Sequence, residues 1–102
     1  MGVDYSYAGT ASYPRFQEEL TAVARVLGGN KIYNKPLRFE FRKGTNPIII
    51  KWMNNIYSPL TLKETKIVAK EIFRHKNIKH LSCQIWHELE KCIKFNDNWW
   101  ID

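Results

Sequence analysis

A chain of 102 residues is long enough to bury one core and too short for two, so a single domain over residues 1–102 is expected. Hydrophobic content of 44%, with 14% aromatic and 25% charged residues, excludes the polar, aromatic-poor composition of a disordered chain. The net charge of +6 is unevenly placed: residues 31–94 carry fourteen Lys or Arg against five Glu, while both ends are mildly acidic. A basic middle favours an anionic partner and serves solubility equally well.

No apolar run approaches the roughly 18 residues that cross a bilayer, and the first residues lack the basic start and apolar stretch of a signal peptide. A cytoplasmic location is therefore expected, with no membrane span. Met1-Gly2-Val3-Asp4-Tyr5-Ser6 matches the short N-myristoylation pattern, but one acyl chain binds a membrane only marginally.

In chain order, Val3, Tyr5 and Tyr7 alternate as in a strand that Ala8-Gly9-Thr10 closes. Pro14 then starts a helix, where its missing N–H costs nothing, and Phe16, Leu20, Val23, Ala24 and Leu27 fall on one face before Gly28-Gly29. A polar connector with Asn30, Asn34 and Pro36 leads to the clearest two-strand signal, a hairpin from Leu37 to Met53. Its first strand alternates Leu37, Phe39 and Phe41 with Arg38, Glu40 and Arg42, Lys43 to Pro47 make the turn, and Ile48-Ile49-Ile50 open a more covered second strand.

Asn54, Asn55, Ser58 and Pro59 make the next turn, and Thr61-Leu62-Lys63-Glu64 has the form of a capping box. The helix behind it buries Thr65, Val68, Ala69, Ile72 and Phe73, and Asn77 interrupts it. Leu81, Ile85, Leu89, Cys92 and Ile93 repeat at helical spacing, which predicts a third helix ending near Phe95. Asn96-Asp97-Asn98 breaks it and leaves the aromatic tail Trp99-Trp100-Ile101-Asp102.

The resulting order, β-α-β-β-α-α, predicts an α+β fold: a split β-α-β with a small mixed, largely antiparallel three-stranded sheet of order 1-3-2 and helices packed on one face. Asp4, Ser6, Arg38, Glu40, Arg42 and Lys51 would then face solvent or a partner. A fourth strand over residues 81–87 is disfavoured by the helical spacing there. This order of elements is shared by many small folds and carries no function by itself.

Three constellations have chemical content. If the third helix reaches back to His80, then His80, Cys83 and His87 share a side with Glu90 one turn on, and imidazole and thiolate both bind zinc. No paired-cysteine or His-Glu-x-x-His pattern supports them, so no metal or other cofactor is expected. Cys83 and His87 also stand four apart, the minimum for a thiol and its base, without an assignable oxyanion donor. Cys92, on the apolar stripe, is a core residue, and nine helical residues forbid a bridge between the two cysteines.

Lys63, Lys66, Lys70 and Arg74 form a ridge suited to phosphates, which Lys76, Lys79, Lys43 and Arg42 would enlarge, unless Glu64 and Glu71 neutralise it into an ordinary solvated face. Tyr5, Tyr7, Phe39, Phe41 and Trp52 alternate as core residues rather than as an open stacking platform, and no glycine-rich phosphate loop is present. In an extended tail Trp99 and Trp100 face opposite ways, so one of them is free to anchor a partner. The leading expectation is a small non-enzymatic interaction protein that binds a protein partner or itself through Trp99, Trp100, Arg38, Arg42 and Lys51. Nucleic-acid binding by Lys63, Lys66, Lys70 and Arg74 is the alternative, and a metal or thiol site at Cys83 and His87 the third.

Overall fold

The computed structural model describes residues 2–102. Met1 of the acylation pattern lies outside them, and Gly2 opens β1 (Gly2–Asp4). This strand pairs antiparallel with β2 (Thr10–Ser12), Val3 opposite Ala11, and both of these side chains are buried. The strand is shorter than Val3–Tyr7 because the chain reverses at once: Tyr5 N–H donates to Gly9 O at 2.8 Å, and Gly9 takes the left-handed conformation (φ +84°).

Ser12 then caps α1 (Tyr13–Val26), its hydroxyl accepting from Arg15 N–H at 3.3 Å, with Pro14 in the first turn. Phe16, Leu20, Val23, Ala24 and Leu27 are all buried, as their spacing predicts. Burying each Phe, Leu or Val side chain of that stripe contributes about 1.5–3 kcal/mol. Gly28 at φ +90° ends the helix.

The expected hairpin is where the fold departs most from expectation. Its first strand exists as β4 (Phe39–Phe41), but the partner is β3 (Gly29–Lys31), with Gly29 opposite Phe41 and Lys31 opposite Phe39. Gly29 is required there, because a Cβ would sit 2.6 Å from the Phe41 ring. The stretch expected as the second strand is α2 (Pro47–Asn54). Asn46 accepts from Ile48 N–H at 2.8 Å, Pro47 fills the first helical position, and Ile49, Trp52 and Met53 are buried at helical spacing.

The capping box forms as expected: Glu64 N–H donates to the Thr61 hydroxyl at 3.1 Å and Thr61 N–H to the Glu64 carboxylate at 3.0 Å. It opens α3 (Leu62–Phe73), which buries Thr65, Val68, Ala69 and Ile72 and leaves Phe73 partly covered. The third helix is divided into α4 (Ile78–Leu81) and α5 (Cys83–Lys94). Ser82 breaks it, with φ −149° and a buried hydroxyl that donates to Glu19 at 3.1 Å. Leu81, before the break, therefore leaves the stripe for the surface; on α5 Ile85, Leu89 and Cys92 are buried and Ile93 is exposed.

The described residues thus form an α+β fold with two separate two-stranded antiparallel sheets, β1–β2 and β3–β4, and five helices. The three-stranded sheet of order 1-3-2 does not form, since its third strand is a helix and α1 joins strands of different sheets. One apolar cluster runs through the whole, with Trp52 and Trp99 among its largest side chains. Among the described residues no helix is long and apolar enough to cross a membrane.

Candidate functional site

Outside its buried stripe, α3 presents Lys63, Lys66, Lys70 and, at its C-terminal cap, Arg74, all exposed. Steps of three and four residues place them on one side of the helix, over about 16 Å at 1.5 Å per residue. Of the two acids of the helix, Glu64 is engaged outside the row and Glu71 at its Arg74 end. Glu64 accepts from Lys51 of α2 at 2.6 Å as well as from Thr61 N–H, and the Lys51 contact is the main cause holding its carboxyl below the ordinary carboxylate range. Glu71 pairs with Arg74 at 3.0 Å and with the His75 ring at 3.7 Å. Among the described residues no carboxylate stands within ion-pair distance of Lys63, Lys66 or Lys70.

At its Arg74 end the row runs into a cleft of about 480 Å³ between α3, α2 and the β4–α2 loop. Arg42, Lys43 and Arg74 bring three cations to it, Glu71 one carboxylate, and Leu27 and Ile49 part of an apolar floor. Local structure positions the loop and Arg42. Gly44 turns the loop at φ +93°, and Thr45 ties back to Arg42 O through its N–H at 3.3 Å and its hydroxyl at 2.8 Å. The Arg42 guanidinium crosses over Gly28, where a Cβ would meet Nε at 2.7 Å. The first turn of α2 points here too, but Pro47 has no N–H and Asn46 takes that of Ile48, so the positive charge comes mainly from side chains.

The remaining candidates are scattered. Trp99 is wholly buried, edge-on to Trp52 with ring centroids 5.4 Å apart and to Tyr5 at 6.1 Å. Its backbone N–H donates to the Thr65 hydroxyl at 2.8 Å and its backbone carbonyl accepts from Leu60 N–H at 3.0 Å. Trp100 remains 47% exposed. Arg38 donates to Asn54 O beside α2, and Lys51 belongs to α2 rather than to a sheet face. His80 lies on α4, across the Ser82 break from Cys83 and His87, and His87 contacts Glu90 at 3.0 Å. Among the described residues no three His, Cys, Asp or Glu side chains are grouped to hold a metal.

Two residues carry no sequence signal and matter in the structure. Glu88, wholly buried on α5, accepts from the backbone N–H groups of Ser6 (3.2 Å), Tyr7 (2.8 Å) and Ala8 (3.0 Å) and so grips the β1–β2 turn. An acid among helical polar residues looks like surface until the turn it caps is placed. Tyr33 stands 87% exposed at the tip of β3–β4. No family model, no curated protein and no solved structure matches this chain.

Proposed function

We propose that the protein binds nucleic acid through its phosphates, along the α3 row and into the cleft at its end. The observation that carries this reading is the run of Lys63, Lys66 and Lys70, exposed and free of acid partners among the described residues, leading to Arg74, Arg42 and Lys43. Laid along a duplex axis, a row of about 16 Å covers the axial rise of roughly five nucleotides of one strand, 3.4 Å each. Lysines act as point charges with little base-edge discrimination, so affinity rests on counterion release and sequence preference is weak. The reading as a binder of a protein partner or of its own copy retains Trp100 and Arg38, whereas Trp99 serves the core and Lys51 pairs with Glu64.

Titrating labelled, mixed-sequence DNA and RNA into the protein tests the proposal. Binding is expected at low salt, similar across unrelated sequences, and to fall steeply near 0.1–0.2 M salt. No binding to either polymer at low salt would overturn it.

A further inference from the structure

The β3–β4 hairpin shares the cleft at its root, where Arg42 and Lys43 lie, and carries at its tip the most exposed large apolar side chain among the described residues. Tyr33 is 87% exposed, against 54% for the next, Phe95. A single exposed aromatic means little by itself. Its setting is what singles it out. The tip is built: Ile32 N–H donates to Arg38 O at 2.9 Å, Lys35 N–H to Ile32 O at 3.2 Å, and Arg38 N–H to Lys35 O at 3.3 Å. Asn34 and Leu37 are both left-handed (φ 60° and 58°), and Leu37 packs partly buried against the core, so the apex is anchored from within.

Beside the ring lies an open concavity of about 520 Å³ lined by Lys31, Tyr33, Asn34, Lys35 and Pro36. The lining combines two lysines, an aromatic ring, a proline and one amide side chain, and among the described residues it holds no carboxylate. This combination suits a ligand that is flat and apolar on one part and anionic on the next. An unpaired nucleotide is such a ligand, its base stacking on the ring and its phosphates lying by the lysines. A duplex keeps its bases stacked on each other and offers no free face to Tyr33.

We infer that Tyr33 stacks on an unpaired base, which makes single-stranded nucleic acid, or a duplex with a single-stranded end, the favoured ligand. The inference rests on the phosphate-binding reading of the α3 row and cleft. From Gly28, which pairs with Arg42 at the hairpin root, to Tyr33 is at most about 17 Å, five residues at 3.3 Å each, so one strand with phosphates in the cleft delivers a base to Tyr33 a few nucleotides on.

The test compares a mixed-sequence single strand with its blunt duplex at one salt concentration, using wild type, Tyr33→Ala, Tyr33→Phe and Lys66→Gln/Lys70→Gln. Tyr33→Ala should weaken single-strand binding roughly tenfold or more and leave the duplex unchanged, while Tyr33→Phe keeps the ring and the affinity. The lysine variant should weaken both. Equal loss on both ligands in Tyr33→Ala, or no loss on either while wild type binds, overturns the stacking contact and leaves the phosphate reading intact. Wild type binding neither ligand overturns both. An unchanged melting curve for Tyr33→Ala shows that any loss is not unfolding.

Discussion

Glu88 is a buried carboxylate whose partners are three backbone N–H groups and, at 3.9 Å, the Cys92 thiol rather than a cation. Gln at this position keeps one acceptor oxygen and turns its amide nitrogen against an N–H, while Ala leaves all three donors unpaired. Glu88→Gln should therefore cost about 2 kcal/mol and Glu88→Ala about 3 kcal/mol or more in urea unfolding. An unaltered midpoint would show that the turn does not depend on this grip. Around it, several groups favour their neutral forms in the folded state. Burial, then Glu88, pushes the Cys92 thiol from 9.0 up to about 12, and the hydrogen bond to Asp97 raises the Tyr7 phenol from 10.0 to about 12. Tyr5 is pushed up further, chiefly by burial. A group whose pKa is higher folded than unfolded stabilises below its unfolded value and loses that contribution as pH rises through the folded one. Stability should thus hold to about pH 9 and decline toward pH 12, and unfolding midpoints flat across that window would contradict these assignments.

At the scale of elements, what was legible in the sequence was what neighbouring residues decide among themselves. The Thr61–Glu64 box and the stripes of α1 and α3 are local, and all three formed as expected. The segment from Pro47 was not, although its signals are present: Asn46-Pro47 is a helix start, and Ile49, Trp52, Met53 and Ile56 recur at helical spacing, all buried. Three consecutive isoleucines obscured that period, because β-branched residues favour strands only weakly and burial overrides them. The strand β3, Gly29-Asn30-Lys31, has no apolar pattern to show, and it exists because Gly29 admits the Phe41 ring from the opposite strand. Asn46→Ala should cost about 1 kcal/mol by removing the cap of α2, and Asn46→Ser should recover most of it. A stabilising or neutral Asn46→Ala would mean that the cap does not hold this helix.

Across the whole molecule the two ends of the chain close on each other. Asp4 and Asp102 exchange backbone hydrogen bonds at 2.7 and 2.9 Å, and Tyr5 bridges to Ile101, which carries Trp99 into the centre of the core. Pairing across nearly the full length of the chain leaves no local trace, so the tail gave no sign of where it docks. Trp99→Ala should cost about 3–5 kcal/mol, a large part of the 5–15 kcal/mol typical of a domain. Trp100→Ala, at an exposed position, should change the melting temperature little; equal losses in the two variants would contradict this placement of the tail. The cleft is global in the same sense, since Arg74 shares it with Arg42 and Lys43 through the packing of α2 against α3 and β4. Each cation was visible in the sequence, and so was the addition of Arg42 and Lys43 to the ridge; the cleft that α2 builds between them was not.

The central claim is that one face, rather than the overall charge of +6, binds phosphate. The most direct measurement is the dependence of log K on log salt for duplex DNA in wild type, in Lys66→Gln/Lys70→Gln, and in Lys91→Gln/Lys94→Gln, which removes the same charge from α5 instead. Gln and Lys have similar helix propensity, so both variants should stay folded. If the α3 row makes the contacts, its variant loses affinity and its slope flattens by about 0.9 per lost phosphate contact, roughly two in all. The α5 variant then keeps a slope close to that of wild type. Equal flattening in both variants, or none in the α3 variant, would contradict the account.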